Sequence, residues 1–92
     1  MRISEEGVAI SKRFFEAIAI LKEQKKIRGL QTFTRNHDIN RWNINQVKFY
    51  PYKSVLKPEW IAYIHDDYGI SVTWIVLGKD PVFDPKWKGK GK

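Results

Sequence analysis

The sequence GLQTFTRNHDINRWNINQV, residues 29–47, predicts two short helices joined by a tight turn, and the remaining segments can be arranged around it. Asn40 is a favourable N-cap for the second helix, because its short side chain can accept a hydrogen bond from an unpaired backbone N–H in the first turn. Ile44 and Val47, three residues apart, mark the buried side of that helix. The helix expected over residues 40–49 therefore has one apolar face and one polar face.

The polar face of this second helix carries Trp42, Asn45 and Gln46, with Arg41 beside them at the N-terminal end. Arg, Asn and Gln side chains can form two hydrogen bonds with the edge of one base, whereas a face that only meets solvent is usually rich in Glu and Lys. The pattern favours a helix that lies in a groove of double-stranded DNA. Two interpretations of Trp42 stay open, contact with DNA and wedging against the preceding helix.

The first helix of the pair is expected from Leu30 to about Asn36, with Gly29 as its N-cap. Its free N-terminal amides, together with the side chains of Gln31 and Thr32, could hold a phosphate of the DNA backbone. The alternative is that these amides meet water.

The net charge of +7 is concentrated around this helix pair. Residues 22–48 contain seven basic side chains and two acidic ones, whereas residues 1–21 are balanced. Such a distribution is typical of a surface that faces a polyanion. For Lys25, Lys26 and Arg28, a solvated helix end and a contact with the DNA backbone both remain open.

The sequence before this pair predicts one long helix, from about Glu5 or Val8 to about Gln24. Its buried positions follow the i, i+3, i+4, i+7 spacing of one helical face: Phe14, Ala17, Ile18 and Leu21. The chain therefore has an apolar stripe on which the helix pair can pack.

Two further helices are predicted after the pair. Pro58 suits the first turn of a fourth helix, and Gly69 suits its end. Ser71 is a favourable N-cap for a last short helix, VTWIVL, which Gly78 closes. That helix has more apolar residues than one inward face can use, so the surplus either packs beneath the first helix or forms a two-fold interface with a second copy.

Length and composition are those of one small intracellular domain. A chain of 92 residues can bury one core, and without cysteine it forms neither disulfides nor thiolate metal sites. No run approaches the roughly 20 apolar residues of a membrane span, and the N-terminal segment is charged where a signal peptide is apolar. We expect a cytoplasmic protein.

Catalysis is not expected from this sequence. The His37-Asp38 and His65-Asp66-Asp67 clusters contain residue types that bind metals. They lie on different predicted elements, however, and no phosphate-binding loop or activated-Ser motif accompanies them. We therefore predict no catalytic residue, no metal site and no cofactor.

The helix pair resembles the helix-turn-helix of the phage-repressor and Cro-like (lambda-repressor-like) family. The positions that match its pattern of apolar, small and capping residues are Phe33, Thr34, Ile39, Asn40, Ile44 and Val47. Two positions depart from it, since His37 stands where Leu is common and Asp38 where the turn Gly is common. Asp tolerates the left-handed backbone that such a turn requires. The segment DYGISVTWIVLG, residues 67–78, also resembles the end of such domains.

The resemblance implies a compact all-α domain of five helices over residues 1–78. Residues 79–92 alternate Lys with Gly and lack a core pattern, so we expect them to form a basic, disordered tail. The resemblance also implies a homodimeric transcriptional regulator, a repressor of phage or mobile-element type, that binds operator DNA. The implied base-reading residues are Arg41, Trp42, Asn45 and Gln46. The implied DNA-backbone contacts are Gln31, Thr32, Asn43, Lys48, Tyr52, Lys53 and Ser54. The expected dimer interface consists of Trp74, Val76 and Leu77.

A protein-binding function is the alternative. An antitoxin or adaptor could use the same scaffold to hold a protein partner, because a fold does not determine a function. For Tyr52, Lys53 and Ser54, a plain surface turn remains the alternative to a DNA-backbone contact.

Overall fold

The computed structural model describes residues 3–89. Within that range the chain forms five α-helices and no β-strand. The helices are α1 (Glu5–Glu23), α2 (Leu30–Asn36), α3 (Arg41–Phe49), α4 (Pro58–Tyr68) and α5 (Val72–Leu77). The all-α class expected from the sequence is confirmed, and each of the expected helices is present.

The α1 helix begins after Ser4, whose Oγ accepts a hydrogen bond from the backbone N–H of Gly7 at 3.1 Å. This cap supports the start of the helix despite the glycine. The apolar stripe predicted for α1 is buried along its length: Phe14, Ala17, Ile18 and Leu21.

The end of α1 is closed by a left-handed residue that is not glycine. Lys25 has a φ of 63°. The backbone N–H groups of Lys25 and Lys26 thereby reach the carbonyls of Lys22 and Leu21, each over 3.0 Å. These two bonds satisfy carbonyls that the helix end would otherwise leave without partners.

Residues 37–40 connect α2 to α3. Asp38 has a φ of 52°, so the prediction that this position is left-handed is confirmed. The predicted cap of α3 is confirmed as well, because the Oδ1 atom of Asn40 accepts a hydrogen bond from the backbone N–H of Asn43 at 3.1 Å.

The core is centred on Phe14. Its ring centroid lies 5.7 Å from that of Phe33 in α2 and 6.4 Å from that of Trp60 in α4. Because α1 also packs against α3 and α5, the long helix contacts all four of the others. Ile44 and Val47 are buried, as the sequence predicts for the apolar face of α3.

His37 fastens the α2–α3 connection to α4. Its Nε2 atom lies 2.5 Å from Oδ2 of Asp67, and its ring stacks on that of Tyr63 with a centroid distance of 4.1 Å. The His37 and Asp67 side chains are both largely buried. An imidazole can therefore replace an apolar side chain here, because its faces are stacked and its nitrogen has a partner.

Both caps of α5 and the end of α4 are as predicted. Gly69 and Gly78 are left-handed, with φ angles of 79° and 73°. The Oγ atom of Ser71 accepts a hydrogen bond from the backbone N–H of Trp74 at 3.2 Å. These local signals define the short helix.

Arg13 ties α1 to the C-terminal end of α5. Its Nε donates to the carbonyl of Ile75 at 2.7 Å, and its Nη2 donates to the carbonyl of Val76 at 3.0 Å. A guanidinium is favourable at this position because the last carbonyls of a helix lack intrahelical partners.

The described part of the C-terminal segment, residues 79–89, packs on the end of α4, which differs from the expected disordered tail. Ile70 and Phe83 form an isolated antiparallel bridge, and the Nε1 atom of Trp87 donates to the carbonyl of Asp66 at 3.2 Å. The alternation of Lys with Gly gave no indication that Phe83 and Trp87 would anchor this segment. Residues 90–92 of the expected tail lie outside the described residues, as do residues 1–2 of the expected domain.

Candidate nucleic-acid interface

The polar face of α3 lies at the surface of the molecule. Arg41 is exposed, the Trp42 side chain is 68% exposed, and Asn45 and Gln46 are half-buried. The alternative in which Trp42 wedges against the preceding helix is therefore excluded. That these four side chains read bases stays a prediction.

A polar groove separates α2 from α3 and has a volume of about 360 Å³. It brings Gln31 of α2 together with Arg41, Asn45 and Lys48 of α3. Buried Ile44 lines the same groove. Two cations and two amide side chains thus share a single depression, which is a chemistry suited to phosphates and base edges.

The other side of α3 borders a second depression, of about 370 Å³, towards the connection to α4. Trp42, Asn43 and Gln46 line it from the helix, and Ser54 lines it from the connection. The four expected base-reading residues are therefore divided. Arg41 and Asn45 border the α2 side, whereas Trp42 and Gln46 border the other.

Thr32 and Gln31, which were expected to hold the same phosphate, line different depressions. The Oγ1 atom of Thr32 accepts a hydrogen bond from the backbone N–H of Arg28 at 3.2 Å, and Thr32 lines its depression with Lys25 and Arg35. The hydroxyl can still donate one hydrogen bond. A DNA-backbone contact was left open for Arg28, whereas Arg35 was indicated only by the local excess of basic residues.

The expected backbone contacts after α3 are accessible. Tyr52 and Lys53 are exposed and Ser54 is half-buried in a turn, where the N–H groups of Lys53 and Ser54 both bond to the carbonyl of Tyr50 at 3.0 Å. The Nζ atom of Lys53 lies 6.0 Å from the centroid of the Tyr52 ring. Their contact with DNA stays a prediction.

The expected dimer interface needs one correction. Trp74 is only 7% exposed, because it belongs to the core between α5 and its neighbours, so it cannot offer a surface to a second copy. Val76 and Leu77 are exposed, Leu77 at 62%. The apolar surplus of α5 is therefore divided between the core and the surface.

Metal ligands do not converge anywhere in the part of the chain that the structure describes: no three His, Asp or Glu side chains form a group that could hold an ion. A membrane-spanning helix is also absent from residues 3–89, since none of the five helices combines the required length and hydropathy. The His-Asp clusters of the sequence are separated, with His37 bound to Asp67 and the Nδ1 atom of His65 2.9 Å from the carbonyl of Ile70.

Comparison with known proteins identifies no relative. No family model matches this sequence, and no curated protein or solved structure matches it.

Proposed function

We propose that this chain is a sequence-specific double-stranded DNA-binding regulator, a repressor of phage or mobile-element type, in which α2 and α3 form a helix-turn-helix. The observation that carries the proposal is the division of α3 into a buried face at Ile44 and Val47 and an accessible face at Arg41, Asn45 and Gln46. The major groove of B-DNA, about 12 Å wide, admits one α-helix. A helix anchored on one side and rich in Arg and amide groups on the other suits that groove.

Charge supports the same proposal. The groove between α2 and α3 contains Arg41 and Lys48, and the neighbouring depression contains Lys25, Arg28 and Arg35. No carboxylate is among the described residues that line either surface. A DNA strand that follows α2 would therefore meet cations on both sides of the helix, and each phosphate contact would release counterions.

A second copy of the chain completes the proposal. Val72, Val76 and Leu77 are exposed apolar side chains of α5 that a two-fold partner would cover. Such a dimer would present two α3 helices to half-sites separated by about 34 Å, one turn of DNA. Sedimentation velocity of the wild type and of Leu77→Glu tests this contact, and a wild type that stays monomeric on a two-half-site duplex would exclude it.

Selection of bound sequences from a random duplex pool tests DNA recognition. Arg41→Ala or Gln46→Ala should weaken binding to the selected duplex by about 1–3 kcal/mol and relax base choice at one position. Lys53→Ala should weaken selected and random duplexes alike, because a phosphate contact carries no base information. Lys79→Ala is the matched control, because Lys79 is an exposed cation that lies beyond α5. Equal losses on selected and random DNA for Arg41→Ala and Gln46→Ala would reject base reading.

A protein-binding module is the second candidate, and the exposed apolar side chains of Trp42, Phe49 and Val55 favour it. Salt separates the two functions. Binding through several phosphates weakens steeply as salt is added, whereas an apolar protein contact does not. In this second function the variants Arg41→Ala and Lys53→Ala would leave partner affinity unchanged.

A further inference from the structure

The depression between α3 and the connection to α4 has a partly apolar lining. Trp42 and Val55, 68% and 64% exposed, stand at its surface, and buried Val47 and Trp60 also line it. Its volume of about 370 Å³ is at the small end of the range for small-molecule sites. That volume is sufficient for one planar ring system.

The polar groups of this depression match the edge of a nucleobase. Asn43 and Gln46 each present an amide with both donors and an acceptor, and Ser54 adds a hydroxyl. Lys57 supplies a cation, and no carboxylate is among the described residues that line the depression. An aromatic face, amide groups and a cation together are the chemistry that binds a base and its phosphate.

A base within a duplex cannot occupy such a site. Its faces are covered by its neighbours in the stack, so that only its edges are accessible in the grooves. A base that leaves the stack exposes its faces and can then lie against an aromatic side chain. The exposed indole of Trp42 offers an aromatic face to which such a base could bind.

We propose that this depression binds one unstacked base of the DNA, with its face on the Trp42 indole, its edge towards Gln46 and Asn43, and its phosphate near Lys57. This inference rests on the proposed function and adds that the preferred duplex contains a base pair that opens. A mismatch at that pair should strengthen binding, because part of the cost of removing the base from the stack is already met.

The experiment measures the affinity of the full chain for the selected duplex and for a series with one mismatch moved along it. We expect one position at which a mismatch tightens binding by about tenfold. Trp42→Leu should abolish that gain and Trp42→Phe should retain it. Phe49→Leu, another exposed aromatic on α3 that does not line the depression, is the matched control and should retain it too.

The other outcomes separate this inference from the function on which it rests. If a duplex is selected but every mismatch weakens its binding, the inference is overturned and the function stands. A second outcome is that no duplex is selected but a thymidine oligonucleotide binds and quenches the tryptophan fluorescence of the wild type and not that of Trp42→Leu. In that case the proposed function fails and stacking of a base in the depression stands. Binding of an acidic peptide with no affinity for either nucleic acid rejects both.

Discussion

The N-terminal and C-terminal halves of the chain close their helices differently. Gly69 and Gly78 end α4 and α5 with φ angles of 79° and 73°. The end of α1 and the turn before α3 use the same left-handed conformation, but with Lys25 at 63° and Asp38 at 52°. A side chain in this conformation costs about 1–2 kcal/mol, a cost that glycine does not have.

The left-handed residues that are not glycine lie in the half of the chain that contains the candidate interface. Lys25 lines the basic depression beside α2, and Asp38 lies shortly before the first turn of α3. Gly69 and Gly78 lie at the opposite end of the chain, where their backbones approach Trp87 and Arg13. The half that carries the candidate interface thus keeps charged side chains at positions where glycine would be less strained.

The largest effect is expected at Gly69. Gly69→Ala should lower the free energy of unfolding by about 2–3 kcal/mol, because the left-handed conformation is strained and the added methyl group collides with an indole. The new Cβ would lie 2.6 Å from the Cε3 atom of Trp87. Urea unfolding followed by circular dichroism measures the loss.

Gly78→Ala is the control for this substitution. It has nearly the same φ, but its Cβ would lie 3.3 Å from Nη1 of Arg13, so that the guanidinium has to shift only slightly while it keeps its hydrogen bonds to α5. We expect a loss of about 1–2 kcal/mol, mainly from the left-handed backbone. Equal losses at Gly69 and Gly78 would show that the collision of the new methyl group with Trp87 adds nothing to the cost of the left-handed backbone.

A gain of intermediate size is expected at the end of α1. Lys25→Gly should raise the free energy of unfolding by about 1 kcal/mol, because glycine is favoured at a left-handed helix end. Lys26→Gly is the control, since Lys26 is not among the described residues with positive φ. A similar gain in both variants would show that the higher free energy of unfolding comes from reduced repulsion between neighbouring basic side chains and not from relief of backbone strain.

The same variant decides between the two interpretations of the basic residues after α1. If Lys25 contacts a phosphate, Lys25→Gly should reduce the slope of log affinity against log salt by about 1, equally on selected and random duplexes. If the residue only solvates the helix end, the slope stays unchanged. Titrations at several salt concentrations distinguish these results.

Helix ends could be predicted from the sequence because their determinants are local. Asn40 and Ser71 cap helices whose hydrogen-bond partners lie three residues away, and Gly69 and Gly78 end helices through their own φ angles. The buried face of α3 was predictable for a similar reason, since helical periodicity depends only on spacing.

Long-range contacts could not be predicted. His37 meets Asp67 across 30 positions and Arg13 meets the carbonyl of Ile75 across 62, and neither pairing leaves a periodic signal. The candidate site shows the same limit. The exposed face of α3 followed from spacing, but its division between two depressions depends on where α2 and the α4 connection pack.

The smallest effect is expected at Asp38, the other left-handed position in the N-terminal half. Glycine would relieve strain there, but Asp tolerates this conformation better than most residues, so the relief is small. Asp38 also places a negative charge before the N-terminus of α3, a contribution of about 0.3–1 kcal/mol that glycine removes. The two effects oppose each other, and Asp38→Gly should change the free energy of unfolding by less than about 0.5 kcal/mol.

Asp38→Asn separates the two effects, because Asn also tolerates the left-handed conformation but has no charge. The loss of stability in this variant should therefore vanish in high salt. A gain at Asp38→Gly as large as that at Lys25→Gly would contradict both the tolerance of Asp for this conformation and the stabilising effect of the charge before α3.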